Sequence, residues 1–301
     1  MKNILLLINP SSRQGAQTKQ EVEAFLKENN YSLIDTSKDQ NKEFSEIIRI
    51  YKDKTDVVVV GGGDGSVNAA LSGLIESQLP LMVIPLGTAN NLARTLQIPK
   101  EPSKALKLLD TGVERRIDVG VVNDLFFVNV AGIGLSTKIN QMVPPELKKK
   151  LGVLAFILMA FKFIRRLTPF HYKIEHEGKV TEGKSWQISV CNGRHYGSGL
   201  VSSEDAALND NQLDCISTEM KRWWEGIFLI PALITGKNKE KKEITLIQTT
   251  ELKLTTHRPR HIDVDGDIKT QTPAIFKIQR KAVRVITPPV HGKQIGTDTT
   301  T

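Results

Sequence analysis

Between residues 57 and 68 the chain reads VVVVGGGDGSVN. Four valines run into glycines at 61, 62, 63 and 65, with a single carboxylate, Asp64, set among them. Glycine admits a ligand close to its backbone N–H, and amides at the head of a helix hold anions such as phosphate. An acid there repels phosphate unless a cation, a hydroxyl or a proton stands between the two. With a nucleotide the natural bridging ion is Mg2+. The stretch therefore reads as a metal–nucleotide site made of Gly61, Gly62, Gly63, Asp64, Gly65, Ser66 and Asn68. The competing reading is a tight turn whose Asp64 caps the following helix. Neither GxxxxGK[ST] nor GxGxxG is completed, because Ser66 or Asn68 stands where the last glycine would fall.

Three further stretches carry polar chemistry. PLGTANNLARTL (85–96) again follows a strand with a glycine, a hydroxyl and two amides. RIDVG places Asp118 beside two arginines. HIDVDGDIKT (261–270) gathers three carboxylates at a turn. DVDGD alone is a weak signal: a Ca2+ loop needs further ligands, and an Asp-Gly hairpin explains much of it. The six histidines have no metal-ligand spacing, and no nucleophilic triad motif is present.

The elements that must position these groups follow from hydrophobic period. Residues 1–118 alternate buried strands (Ile4–Ile8, Val57–Val60, LPLMVIPLG) with helical patterns around Val22, Phe25 and Leu26, along Val67, Ala70, Leu71, Leu74 and Ile75, and over Ala105–Leu109. Apolar-throughout strands separated by helices predict a parallel α/β layer. From Ile117 short strands with turn signals recur, as in RRIDVGVV-ND-LFFVNV and FHYKIEHEGKVTEGKSWQISVCNG. These predict a mostly antiparallel second domain. The expected division is 1–120, 121–285 and a tail, 286–301.

Net charge is +8 over 301 residues, which favours anionic partners. The basic runs LKKK and KNKEKK lack interleaved aromatics, so no nucleic-acid partner is expected. Two isolated cysteines, Cys191 and Cys215, read as reduced thiols of a cytoplasmic protein. LGVLAFILMAF (151–161), flanked by lysines and arginines, is about 16 Å long as a helix. A hydrocarbon core is about 30 Å thick, so this segment, like RWWEGIFLIPALI (222–234), packs on a sheet or lies on an anionic surface.

Taken in order, NPSS, GGGDGSVNAAL, PLGTANNLARTL, RIDVGVVN, CNGRHYGSGL with LNDNQLDCIS, and VDGD resemble the diacylglycerol kinase catalytic-domain family, bacterial lipid kinases related to diacylglycerol and sphingosine kinases. The resemblance implies an N-terminal α/β nucleotide-binding domain, a C-terminal β-sandwich and an active site in the cleft between them. It implies transfer of the γ-phosphate of ATP to a lipid hydroxyl with Mg2+, at the inner face of a membrane. Carried over, Gly62 to Asn68 cradle the phosphates and Asp64 organises Mg2+. Thr88, Thr36 and Asn91 fall at nucleotide-site positions, with Asp118 a further candidate metal residue. Asp265, with Asp267 beside it, falls where the family keeps its proton acceptor. Asp210, with the carbonyls of Ala207 and Gln212, matches a structural Mg2+ loop.

The sequence departs from the family at several of these positions. Asn91 replaces an aspartate, DGD replaces DGE, NDNQL lacks a glycine of the metal loop, and Arg13 stands where glycine is usual. A non-catalytic nucleotide- or lipid-binding member is the alternative these changes raise. NAD kinases look similar around GGDG but lack PLGTAN…LAR in this form.

Overall fold

A computed structural model describes residues 1–9, 15–142, 168–193, 195–196, 200–201, 208–222, 224–225 and 242–289. They form two compact units. Met1–Asp118 groups with the chain from Arg280 onward, and Val119–Gln279 forms the other.

The first unit runs β1 (Asn3–Ile8), α1 (Gly15–Glu28), β2 (Ser32–Leu33), α2 (Phe44–Tyr51), β3 (Val57–Gly62), α3 (Asp64–Ser77), β4 (Leu81–Pro85), α4 (Asn91–Thr95), α5 (Pro102–Leu106), α6 (Leu108–Thr111) and β5 (Val113–Val122). β1 pairs in parallel with β2 and β3, and β3 with β4. Every residue of β3 and β4 is buried. A parallel strand covered on both faces needs this unbroken apolar run. On α3 the expected face is inward, with Val67, Ala70, Leu71 and Leu74 buried and Ile75 half-buried. That helix stops at Gln78, whose left-handed backbone (φ 56°) lets its N–H reach the Leu74 carbonyl. Arg49 of α2 grips both carboxylate oxygens of Glu76 on α3, at 2.6 and 2.7 Å. The single helix expected over 105–109 is two short ones. Lys107 (ψ −18°) ends α5 in a tightened turn and starts α6.

The second unit continues with β6 (Leu125–Phe127), β7 (Val130–Gly134), α7 (Leu135–Met142), β8 (Phe170–His176), β9 (Lys179–Ser185), β10 (Gln187–Cys191), the short pair β11 (His195–Tyr196) and β12 (Leu200–Val201), β13 (Leu213–Thr218), β14 (Ile244–Thr249), β15 (Glu251–Thr256), β16 (His261–Val264), β17 (Asp267–Gln271) and β18 (Ala274–Thr287). β5 and β6 form the expected hairpin over Asn123 and Asp124, both at positive φ. One sheet has the order β14-β13-β10-β7-β16-β17, antiparallel throughout. β9, β8, β15 and the first part of β18 make another antiparallel set. Phe127, Ile133, Phe170, Ile174, Val190, Leu213, Leu254, Val264 and Phe276 pack from these strands into one core. The second unit is an antiparallel β-sandwich and the first a mostly parallel α/β unit, as the sequence predicts.

The last strand departs from the expected boundary at 285. Residues from Arg280 group with the first unit because Val285 pairs in parallel with Leu81 of β4. The change of unit coincides with a left-handed residue, Lys281 (φ 47°), whose N–H donates to Asp118 Oδ1 at 2.6 Å. The apolar stretch 151–161 and most of 222–234 lie outside the described residues. Among the described residues no helix is long and apolar enough to cross a membrane.

Cys191 on β10 and Cys215 on β13 are free and buried. Burial, followed by the negative charge of Asp214, pushes the Cys215 thiol up to about 12 and raises the Cys191 thiol well above its ordinary value. A raised thiol stays protonated, and the thiolate is the reactive form. At pH 8 a thiol reagent is therefore expected to label neither cysteine in the native protein, and both once it is unfolded in denaturant. Rapid native-state labelling at either position contradicts this assignment.

Candidate active site

The described turns that follow β3 and β4 lie at the carboxyl-terminal edge of a parallel sheet, the edge where α/β folds bind ligands. β3 delivers Gly61 and Gly62 there. Asn9 N–H donates to the Gly61 carbonyl (3.0 Å) and Leu86 N–H to the Gly62 carbonyl (2.9 Å). A Cβ on Gly87 would sit 2.5 Å from Gly63 Cα, so these two glycines let the turns after β3 and β4 touch backbone to backbone. Asn90, in the left-handed region (φ 50°), closes the second turn. Its Oδ1 accepts the Gly87 N–H (2.9 Å) and its Nδ2 donates to the Gly87 carbonyl (2.8 Å).

Asp64 ties the two turns together. Oδ2 accepts the Asn91 N–H at 3.0 Å and Oδ1 the Leu92 N–H at 3.1 Å. The acid does cap a helix, as the competing reading holds, but that helix is α4 and not the α3 that Asp64 begins. The N-cap of α3 is Gly63, and no side chain caps it. Gly65, in the first turn of α3, is exposed, and a Cβ there would meet nothing within 4 Å. Among the described residues no packing demand explains a glycine at 65, and the helix head is open there.

Ser66 is buried, its Oγ accepting from Asn9 Nδ2 at 3.4 Å. Asn68 is half-buried on α3, and Thr88 is exposed in the turn after β4. Asn91 is buried, only 7% exposed, and its Oδ1 has no hydrogen-bond partner among the described residues. Thr36 is half-buried just after β2, two strands from β3, and its side chain caps nothing. Asp118, buried on β5, accepts the Lys281 N–H noted above and so fastens a strand crossing within its own unit. Asp210 Oδ1 accepts the Gln212 N–H (3.0 Å) in an exposed turn before β13. Ala207 lies outside the described residues. Among the described residues no group of three or more His, Cys, Asp or Glu side chains is placed to hold a metal.

In the second unit DVDGD is an Asp-Gly hairpin. β16 and β17 are joined through Asp265 (φ 50°) and Gly266 (φ 103°). The Asp265 carboxylate is held by three successive amides. Val128 N–H reaches Oδ2 at 2.8 Å, while Asn129 and Val130 N–H reach Oδ1 at 2.9 and 3.0 Å. Asp267 is exposed at the first position of β17. Sequence reasoning gave no role to three residues that shape these turns. Asp263 is buried and accepts the Gly266 N–H at 2.8 Å. Asn90 does the work described above. Asn192 is buried and bonds to the 128–129 backbone. An Asx residue three positions from a glycine, before it at Asp263 and after it at Asn90, was a usable signal; the Asn192 contact spans too much sequence to leave one.

Residues 3–122 match the diacylglycerol kinase catalytic domain, and residues 129–287 match the YegS C-terminal NAD kinase beta sandwich-like domain. The chain belongs to the diacylglycerol kinase catalytic-domain family of bacterial lipid kinases. It is 30% identical over 245 residues to a diacylglycerol kinase of Bacillus subtilis, covering 80% of each chain. A diacylglycerol kinase structure from Bacillus anthracis superposes with a TM-score of 0.73 at 22% identity, over 96% of this chain and 97% of that one. An NAD kinase from Archaeoglobus fulgidus, solved in complex with ATP, superposes with a TM-score of 0.51 at 11% identity, over 95% and 93%; this likeness concerns the fold alone.

Hydrogen bonds to a charged group contribute about 1.5–3 kcal/mol each when one partner is removed. Asp64→Ala deletes two such acceptors. Even without nucleotide it is expected to destabilise the protein by about 2 kcal/mol or more, read as an earlier denaturant midpoint at constant slope. An unchanged midpoint contradicts the staple.

Proposed function

We propose that the protein transfers the γ-phosphate of ATP to the hydroxyl of a diacylglycerol-like lipid in the presence of Mg2+. The observation that carries this reading is the uncapped head of α3, fronted by exposed Gly65 and held against the next turn by Asp64. Family membership supplies the reaction class, and the curated relative from Bacillus subtilis is a diacylglycerol kinase.

In this reading Gly62 to Asn68 present backbone N–H groups to the phosphates, with Gly61 permitting close approach at the strand end. Thr88 and Thr36 contact the nucleotide from the turns after β4 and β2. The residues present fit a hard cation. Asn91 Oδ1 is a buried oxygen without a hydrogen-bond partner among the described residues, and Mg2+ takes one or two protein oxygens together with phosphate oxygens and water. Asn91 and the remaining lone pairs of Asp64 would hold it, with Asp118 a further candidate. Bound there, Mg2+ would neutralise charge building on the phosphates.

Asp265 receives the lipid hydroxyl. The lipid oxygen bonds to the γ-phosphorus, the bond from that phosphorus to the ADP oxygen breaks, and the hydroxyl proton passes to the Asp265 carboxylate. Because phosphoryl transfer asks mainly for positioning and charge stabilisation, a carboxylate fixed by three amides suits the role of orienting the hydroxyl. Asp267 stands beside it as a second acid. Asp210 with Gln212 and Ala207 is carried as a structural-metal loop, and the site of action as the inner face of a membrane.

The test is incubation of the purified protein with γ-labelled ATP, Mg2+ and a panel of lipids, followed by chromatography. Labelled phosphatidic acid is expected. Asp265→Asn is expected to abolish transfer, a fall of at least about a hundredfold, whereas Asn91→Asp leaves it or raises it. Wild-type turnover by the Asp265 variant removes that residue from the mechanism. Absence of any labelled lipid favours the non-catalytic alternative.

A further inference from the structure

The Asp265 carboxylate owes its position to the bend between β6 and β7, where three consecutive N–H groups converge on it. Three adjacent amides aimed at one point make an anion-binding concavity. Nothing in the sequence around Val128 dictates it, since neither glycine nor proline lies between Leu125 and Ala131. The carbonyl side of the same bend is gripped from a different strand. Asn192, the residue after β10, donates its side-chain Nδ2 to the Val128 carbonyl at 3.0 Å and its backbone N–H to the Asn129 carbonyl at 2.9 Å. It is 1% exposed. Below it β10 pairs with β7, Cys191 opposite Val130, so the strand that carries Asn192 is in register with the strand that the bend opens into.

We infer that Asn192 is a positioning residue for phosphoryl transfer, holding the Val128–Val130 amides in the arrangement that fixes the Asp265 carboxylate. This rests on the proposed role of Asp265 in receiving the lipid hydroxyl. Two of the three peptides, those carrying the Val128 and Asn129 carbonyls, are restrained by Asn192 while their N–H groups, on Asn129 and Val130, are spent on Asp265. The restraint also resists collapse. Without a donor at Val128, that buried carbonyl is left unsatisfied, and the bend is expected to rotate to find another partner. Rotation of even one peptide takes an N–H away from the carboxylate. The Asp265 N–H also donates to the Val130 carbonyl (2.9 Å), and Asp263 Oδ1 accepts the Gly266 N–H (2.8 Å); these two bonds fix the backbone of the turn and not the carboxylate itself. Asn192 is therefore the distal half of a clamp whose proximal half is three main-chain amides.

The test compares wild type, Asn192→Asp, Asn192→Ser, Asp265→Asn and the Asn192→Ser/Asp265→Asn double variant, all as full chains. Asn192→Asp keeps the shape and loses the Nδ2 donor; Asn192→Ser retains a smaller donor if the aspartate does not fold. Two readouts are needed. The first is the pH titration of the Asp265 side-chain carboxyl carbon by NMR, which does not depend on catalysis. In both single variants at 192 its midpoint is expected to move upward, because amides that stabilised the charged form are displaced. The second is steady-state transfer to diacylglycerol in mixed micelles. The single variants at 192 are expected to lose about ten- to a hundredfold in kcat with KM for ATP unchanged, and the double variant to be no slower than Asp265→Asn alone. An unmoved carboxyl titration in a folded variant at 192 overturns the clamp. A moved titration with unchanged kcat, while Asp265→Asn is inactive, overturns the positioning role. Full turnover by Asp265→Asn instead overturns the assignment of Asp265, and with it the catalytic half of this inference.

Discussion

A carboxylate placed among glycines is the constraint on which the first unit's chemistry depends. Asp64 gives both oxygens to the amides of Asn91 and Leu92, in the turn after the neighbouring strand. With Asp64 committed there, the head of α3 keeps no side-chain cap. The close approach of Gly63 and Gly87 makes the reach short enough, because no side chain separates the two turns. The acid is thus a brace between the two turns that leaves the head of α3 without a side-chain cap. An Asp64 that capped α3 would have closed the place where a phosphate could sit.

The second unit repeats the device in a different setting. Asp265 is also a carboxylate satisfied by successive backbone amides, those of Val128, Asn129 and Val130. Both acids are held by main chain, Asp64 by the first amides of α4 and Asp265 by the bend that opens into β7. Side-chain partners could adopt other rotamers; backbone amides in these elements cannot. This gives a carboxylate a defined direction at low entropic cost. In each unit the amides come from a segment distant in sequence, so each acid adds a contact between turns at the end of strands that already pair, β3 with β4 and β16 with β7.

Much of the fold was legible because its signals are local. The unbroken apolar runs of β3 and β4, the helical face of α3, and the Asn-Asp and Asp-Gly hairpins each follow from period or turn chemistry within a few residues. The glycine turn itself was legible from the residues Gly61 to Gly65, and its role as an anion site is part of the proposed function. What escaped reading depends on partners far along the chain. The return of β18 to β4 rests on Val285 meeting Leu81, and the bend at Lys281 on Asp118. Asp64 was readable as a cap but not as the cap of α4, since helix-capping rules describe an acid and the helix it precedes. Asn192 sat in the quoted motif CNGRHYGSGL with no role, because its partners at 128 and 129 are contacts across strands.

In the proposed function the amides at the head of α3 receive the phosphates of a metal–nucleotide while Asp64 braces the turn. Titration of 15N-labelled protein with ATP and Mg2+, followed through backbone amide resonances, reads this out. The Asp64 and Gly65 amides are expected to shift most, saturably, and only with Mg2+ present. Binding that leaves these two amides unmoved, or no saturable shift at any nucleotide concentration, contradicts it.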